Sequence, residues 1–139
     1  MKVFPFLLMF FSSFISAQNS DESLIKATVN GLFDGMKTSD SSKISNAFTK
    51  NAILQTITKT GEAKIENIKD FATSISKAER GSLEERIAFS NILIDGNLAS
   101  VWTPYEFYYQ GKFSHCGVNS VQLIKINTEW KIQYIIDTR

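Results

Sequence analysis

The residues best suited to chemistry lie next to each other near the end of the chain. His115 and Cys116 are the single histidine and the single cysteine among 139 residues. An imidazole titrates close to neutral pH and suits acid–base catalysis. Neighbours on a strand point to opposite faces, so the two do not automatically form a Cys/His dyad. We expect His115 to fill a half-buried position, with an acid–base role as the alternative, and Cys116 to be a small buried side chain.

Other chemical signatures argue against metal, cofactor and nucleic-acid functions. One cysteine supports neither a disulfide nor a multi-thiolate zinc site, and no Walker loop, dinucleotide fingerprint, HExxH motif or nucleophile elbow occurs. With 15 Lys and Arg against 14 Asp and Glu, the formal charge is +1, without a basic patch for nucleic acid. We expect no metal, no cofactor and no nucleic-acid partner, and we interpret the charged run Glu84-Glu85-Arg86 as solvated.

One predicted strand is unusually aromatic. Five aromatic residues fall within eight positions: Trp102, Tyr105, Phe107, Tyr108 and Tyr109. Alternation sends one set inward, to a core or pocket, and the other to the outer face. Because Pro104 suggests a bulge, parity alone does not say which set is inside. Inward aromatic faces suit a flat heterocycle or simply core packing, whereas outward ones favour a dimer surface.

The first residues have the pattern of a secretory signal peptide. Lys2 precedes an apolar run over 3–11, and Ser16-Ala17 supplies the small-residue exit. The run is too short for the roughly 20 residues that cross a bilayer. We expect cleavage after Ala17, export to the periplasm or the extracellular space, and no membrane association afterwards. Removing 17 of 139 residues leaves 122, with 14 positive and 14 negative side chains.

The elements that must position these residues form a single domain over 18–139. Helical spacing of apolar residues predicts helices over 22–37, around Ile44 and Ala47, and over 68–78. A strand is predicted over 51–58. Four further strands, separated by turns such as Asp95-Gly96-Asn97, are predicted over 84–94, 98–109, 112–126 and 130–137. The fold class is α+β, with three N-terminal helices packed on a curved, mostly antiparallel sheet.

This order of elements resembles the nuclear transport factor 2-like superfamily, a cone-shaped fold. The segments 101–108, 111–117, 122–123 and 130–132 resemble the SnoaL-like family described as "putative lumazine-binding". The resemblance implies one deep, mostly apolar pocket and an outer sheet face that pairs two subunits. From the resemblance and the alternation we expect the pocket to be lined by Leu32, Phe33, Phe71, Trp102, Tyr105, Tyr108, His115, Asn119 and Gln122. The balance of positive and negative side chains after removal of residues 1–17 agrees with an uncharged pocket.

Enzymes of this superfamily provide a test of catalysis. Ketosteroid isomerases combine an Asp base with a Tyr and a protonated Asp. In an ungapped match to their motif the base position falls on Thr56, and the Tyr position falls on Leu32. A threonine cannot accept a proton near neutral pH, so we expect no isomerase chemistry of this type.

Three functions follow as hypotheses. The first is a secreted or periplasmic, non-catalytic protein that binds a small apolar or heterocyclic ligand in a single aromatic pocket and forms a homodimer through the sheet face. The second is a lyase or isomerase in which His115 is the acid–base group and Tyr105 or Tyr108 donates protons. The third is a protein-interaction module that uses the outer sheet face.

Overall fold

Three helices lie at the amino-terminal side of the fold. A computed structural model describes residues 13–139, and the helices are α1 (Ser13–Thr38), α2 (Ser41–Ala47) and α3 (Ile68–Ser76). Helix α1 begins earlier than the predicted residue 22 and continues through the predicted cleavage position. The apolar run of the predicted signal peptide lies outside the described residues. No helix within residues 13–139 is long and apolar enough to cross a membrane.

Seven strands form one mixed sheet. They are β1 (Phe48–Ile57), β2 (Ala63–Glu66), β3 (Leu83–Ile87), β4 (Asn91–Asp95), β5 (Leu98–Tyr109), β6 (Lys112–Ile126) and β7 (Glu129–Thr138). The order across the sheet is β2-β1-β7-β6-β5-β3, and β4 also pairs with β5. Strands β1 and β7 are parallel, whereas the other pairs are antiparallel. The predicted α+β class, with three helices and a mostly antiparallel sheet, is confirmed.

The sheet differs from the sequence prediction in two places. Strand β2 was not predicted, because its four residues are all exposed and show no alternation of burial. The single strand predicted over 84–94 is divided into β3 and β4, which pair with successive halves of β5. The carbonyl of Pro104 accepts from the N–H of Ala88, between the two strands. The division thus falls beside a residue that has no N–H for a continuous ladder.

Helix α1 packs through the predicted apolar stripe. Its buried members are Ile25, Val29, Leu32, Phe33 and Met36. Gly35 lies against α2: a Cβ built there would come within 2.9 Å of Ile44 Cγ1 and 3.1 Å of its backbone nitrogen. A Cβ at Gly31 would have no heavy atom within 4 Å. Of the two helix glycines, Gly35 alone allows a close approach of the neighbouring helix.

Polar contacts fix the orientation of α1 on the sheet. The Asp21 carboxylate accepts from Lys125 Nζ at 2.7 Å and from Trp130 Nε1 at 3.1 Å. These bonds, the Lys125 bond first, lower the pKa of Asp21. The Thr28 hydroxyl donates to the Trp130 carbonyl at 3.0 Å. Trp130 is buried, so the helix is attached to the β6–β7 end of the sheet by both packing and hydrogen bonds.

The two short helices begin at side-chain caps. Asp40 caps α2 by accepting from the Lys43 N–H at 3.0 Å. Asn67 caps α3 by accepting from the N–H groups of Lys69 and Asp70. Such caps supply partners for amides that the helix itself leaves unpaired. Beyond its cap, α3 contributes the buried residues Ala72 and Ile75 to the core.

Candidate functional site

An internal cavity of about 210 Å³ lies between the helices and the inner face of the sheet. Its body is apolar and receives side chains from α1, α3 and the four strands β1, β3, β5 and β7. The apolar residues that line it are Leu32, Phe33, Met36, Phe48, Leu54, Phe71, Ile75, Leu83, Phe107 and Ile135. Helical spacing on α1 and alternation on the strands aim these side chains at one volume. The result is a concave apolar site of the kind that small molecules occupy.

The remaining lining residues are polar or titratable. They are Glu66, Glu85, Tyr105, His115, Asn119, Asp137 and Arg139. Strand register explains part of this grouping: Thr56 is opposite Asp137, Asp137 is opposite Asn119, and Asn119 is opposite Thr103. Residues opposite one another across a sheet share a face. A row of polar side chains therefore crosses four neighbouring strands at one end of the cavity.

Glu85 lies next to this row of polar side chains and has a strongly raised pKa. Its Oε1 accepts from Asn119 Nδ2 at 2.8 Å. Burial, with a smaller contribution from the Asp137 charge, raises the pKa of Glu85 to about 7 against the opposing effects of the Asn119 bond and of Arg139. Within the described residues no hydrogen bond engages the second oxygen, Oε2. Glu85 can therefore donate or accept a proton at neutral pH inside the cavity.

Asp137 has only one of its carboxyl oxygens engaged. The Thr56 hydroxyl donates to Oδ2 at 3.1 Å, while Oδ1 is buried and has no partner among the described residues. Burial raises the pKa of Asp137. The hydroxyl of Thr103, fully buried in the same row, is likewise unpaired within residues 13–139. Buried polar atoms without partners are costly, so this row has unused hydrogen-bonding capacity.

Tyr105 covers a glycine at the rim of the site. Its hydroxyl donates to the Thr138 carbonyl at 2.8 Å. A Cβ on Gly117 would lie 2.0 Å from that carbonyl oxygen and 2.9 Å from Tyr105 Cε1. Burial, with the charges of Asp137 and Glu85, raises the pKa of Tyr105 well above its usual value. The tyrosine is therefore neutral and positions the end of β7.

His115 packs among aromatic rings. Its ring centroid is 5.0 Å from that of Phe107 and 5.9 Å from that of Tyr105, the latter edge-on. Burial lowers the pKa of His115, and Arg139 lowers it further. Its side chain hydrogen bonds, within residues 13–139, only to the Ser114 hydroxyl, through Nδ1 at 3.1 Å. Among these residues the His115 ring hydrogen bonds to no acidic side chain and to no tyrosine hydroxyl, and its acid–base role stays a prediction.

The structure separates the nine residues expected around the pocket into two groups. Six of them line the cavity: Leu32, Phe33, Phe71, Tyr105, His115 and Asn119. Whether any of them binds a ligand stays a prediction. The expectation of an uncharged pocket is wrong, because three carboxyl groups and one guanidinium line the cavity.

The other three residues lie on the outer face, and their expected placement in the pocket is wrong. Trp102 is 49% exposed, because odd-numbered positions of β5 point inward up to Phe107. Tyr108 lies beneath the Arg86 guanidinium at 3.9 Å. Gln122 accepts from the Ser100 hydroxyl on the same outer side. Tyr108 is therefore not available as a proton donor inside the cavity.

Cys116 is exposed, which corrects the expectation of burial. It lies opposite Glu106, an outward-facing position of β5. Cys116 directly follows His115, which lines the cavity. Adjacent residues of a strand point to opposite faces, so Cys116 lies on the outer face.

Sequence reasoning missed the acidic residues of the site. Glu85 was interpreted as part of a solvated charged run, yet it shares its face of β3 with Leu83 and Ile87. That apolar–acidic–apolar alternation was a usable signal. Glu66, Asp137 and Arg139 gave no such signal in the sequence. Glu66 belongs to a short exposed strand, and the other two lie at the end of the chain. Within residues 13–139 no three His, Cys, Asp or Glu side chains are grouped to hold a metal ion.

Solved structures define the class of fold. A nuclear transport factor 2-like protein from Novosphingobium aromaticivorans aligns with a TM-score of 0.74 and 10% identity, covering 94% of this chain and 90% of its own. Proteins of unknown function from Shewanella baltica (TM-score 0.69, 19% identity, 86% and 93% coverage) and Silicibacter pomeroyi (0.70, 15%, 86% and 96%) are also similar. The chain has the nuclear transport factor 2-like fold.

The family follows from the sequence itself. Residues 20–134 match the model of the family described as "Putative lumazine-binding". The chain belongs to that family, which confirms the resemblance noted in its strands. Comparison with curated proteins gives no match.

Proposed function

We propose that this chain is an exported protein that binds a small molecule in its internal cavity. The observation that carries the proposal is the 210 Å³ cavity with its apolar body and its polar end. Drug-sized ligands occupy about 300–1,000 Å³, so a ligand here is one ring or one fused bicycle. The family description supports a flat heterocycle such as lumazine as a first candidate.

The division of the cavity supports an oriented mode of binding. Phe33 and Phe71 would contact the faces and edges of a ring, where burial of apolar area supplies affinity. Asn119 and Glu85 would receive its polar edge. A few polar groups in an otherwise apolar cavity fix orientation more than they add affinity.

The proposal is tested by native mass spectrometry and thermal shift with lumazine and related fused bicycles. Leu32→Trp fills the cavity with an indole, whereas Leu24→Trp adds the same side chain at an exposed position of the same helix. Binding to the unmodified chain and to Leu24→Trp, but not to a folded Leu32→Trp, is expected. Equal binding to both variants would place the ligand outside the cavity, and no binding by the unmodified chain to any member of the panel would overturn the proposal.

Export is a further part of the proposal. Asp21, whose carboxylate joins α1 to Lys125 and Trp130, follows the proposed cleavage position by four residues. Removal of residues 1–17 therefore leaves this attachment intact. Expression in a bacterial host, followed by fractionation, is expected to give a periplasmic or secreted species. Its mass is expected to match a chain that begins at Gln18. A full-length species retained in the cytoplasm would contradict it.

We also propose that the outer sheet face pairs two copies of the chain. The observation that favours this is the exposure of large apolar side chains there, with Leu93 at 63% and Trp102 at 49%. These two residues line a shallow depression together with Ser100, Ser120 and Gln122. Exposed apolar patches on a small domain commonly mark contacts. Recruitment of a different protein by this face is the alternative outcome.

A further inference from the structure

We infer that the cavity selects an organic cation, whose apolar body fills the aromatic interior and whose charged head contacts Glu85 and Asp137. This inference rests on the proposed function and adds the chemical class of the ligand. It is argued from the charges that line the cavity, from their hydrogen bonds, and from the rings around them.

The charges that face the cavity are unequal. Glu66 on β2, Glu85 on β3 and Asp137 on β7 are acidic, and among residues 13–139 the one basic side chain that lines the cavity with them is Arg139. The two other titratable groups are uncharged at neutral pH, because burial raises the pKa of Tyr105 and lowers that of His115. With all three carboxyls ionised the cavity carries two more negative than positive charges. Such an excess favours a positive ligand.

One amide, that of Asn119, hydrogen bonds to one inner carboxyl group and stands in register with the other. Asn119 donates to Glu85 Oε1 at 2.8 Å and lies directly opposite Asp137 in the β6–β7 register. Asp137 Oδ1 is buried without a partner among the described residues, and Glu85 Oε2 is likewise unengaged there. One free oxygen on each side of Asn119 can accept from a donor head with two or more N–H groups.

Aromatic rings line the same cavity as these carboxyl groups. The rings that line the cavity are Phe33, Phe48, Phe71, Tyr105 and Phe107. The face of an aromatic ring attracts a cation, more strongly where water is excluded. A neutral ligand would use the apolar contacts alone and would gain nothing from the excess of carboxyl groups over Arg139.

Binding of a cation is coupled to the release of a proton from Glu85. Glu85 is about half protonated at pH 7, since its pKa is raised to about 7. A cation stabilises the ionised form, so binding below pH 7 releases a proton from the Glu85 carboxyl to solvent. The affinity for a ligand of fixed charge is expected to fall about tenfold between pH 8 and pH 6, because about a tenth of Glu85 is ionised at pH 6.

Benzamidine and benzamide form a matched pair of probes for this inference. Both are planar and similar in size, but benzamidine is cationic throughout this pH range and offers a forked donor to carboxylates. Isothermal titration at pH 8 is expected to give at least tenfold tighter binding of benzamidine. In Glu85→Gln, the preference for benzamidine over benzamide is expected to be smaller, and the pH dependence of benzamidine binding is expected to be weaker. Glu84→Gln, one residue away on the outer face, is expected to leave both unchanged.

The outcomes separate this inference from the proposed function. Equal affinity for the two probes, or a preference for benzamide, overturns the cation inference but leaves cavity binding intact. Lumazine binding with no benzamidine binding does the same. If Glu85→Gln is not folded by circular dichroism, Asp137→Asn takes its place, and an unchanged benzamidine preference in the folded variant overturns the inference. Absence of binding by lumazine, its relatives and both probes overturns the proposed function itself.

Discussion

At the scale of single residues, environment rather than residue type decides the chemistry. Glu84 and Glu85 are consecutive, yet hydrogen bonds from Arg86 and Lys37 lower the pKa of Glu84, whereas burial raises that of Glu85. The two carboxyls lie on opposite faces of one strand. Because this charged run lies on a strand, one of its acids, Glu84, faces outward, and the next, Glu85, faces the cavity.

The raised pKa of Glu85 predicts a specific pH dependence of stability. The folded state binds a proton more tightly than the unfolded state, so the stabilisation from this group is present at low pH and is lost as pH rises through about 7. Relative to Glu85→Gln, the free energy of unfolding of the unmodified chain is expected to fall by about 2 to 3 kcal/mol between pH 5 and pH 8.

Urea denaturation across this range measures the difference. The control, Glu84→Gln, is expected to keep the same fall, since it leaves Glu85 in place. An unmodified chain whose stability runs parallel to that of Glu85→Gln would show that Glu85 titrates normally.

Gly117 is expected to tolerate no side chain. The Cβ of Gly117→Ala would meet the Thr138 carbonyl oxygen at 2.0 Å, so β7 or the Tyr105 ring must move. We expect a loss of about 2 to 3 kcal/mol in unfolding free energy. Tyr105→Phe, which removes only the hydrogen bond to Thr138, is expected to lose about 1 kcal/mol. A neutral effect of Gly117→Ala in urea denaturation would contradict this packing.

At the scale of elements, periodicity predicted most of the fold. The apolar stripe of α1 and the turns at Gly96 and Gly111 are strong local signals, and the helices and long strands follow from them. The inward face of β5 was not predictable, because an alternating aromatic strand looks the same from either side. The burial of Val101 and Thr103 settles it in three dimensions.

Two glycines of α1 are expected to respond in opposite ways to alanine. Gly31→Ala meets no atom within 4 Å and gains helix propensity, so stability is expected to rise by up to about 1 kcal/mol. Gly35→Ala gains the same propensity but collides with Ile44, and we expect a net loss of about 1 to 2 kcal/mol. Equal effects of the two substitutions in thermal or urea denaturation would show that α1 and α2 are not in close contact.

At the scale of the whole molecule, the sheet separates two surfaces of different character. The inner face builds the cavity with the helices, and the outer face displays exposed apolar residues. Alternation could have shown that Glu85 faces inward, but its convergence with Glu66 and Asp137 could not be predicted, because the three are far apart in sequence and meet only through the strand order β2-β1-β7-β6-β5-β3. Local patterns carry no information on such convergence.

The proposed pairing of two copies gives a prediction at this scale. Trp102→Lys places a charge in the outer depression and is expected to convert a dimer to a monomer in sedimentation velocity at micromolar concentration. Ile65→Lys, at a 69% exposed position on the edge strand β2, is expected to remain dimeric. An unmodified chain that sediments as a monomer would refute the pairing.

The exposure of Cys116 allows the molecule to be labelled at a single site. The sequence has no other thiol, and this one is accessible on the opposite side of the sheet from the cavity, one peptide unit from His115. A maleimide-linked nitroxide or fluorophore therefore attaches at a single known position without any substitution. A reporter there shares a strand with the cavity wall but leaves the interior unobstructed.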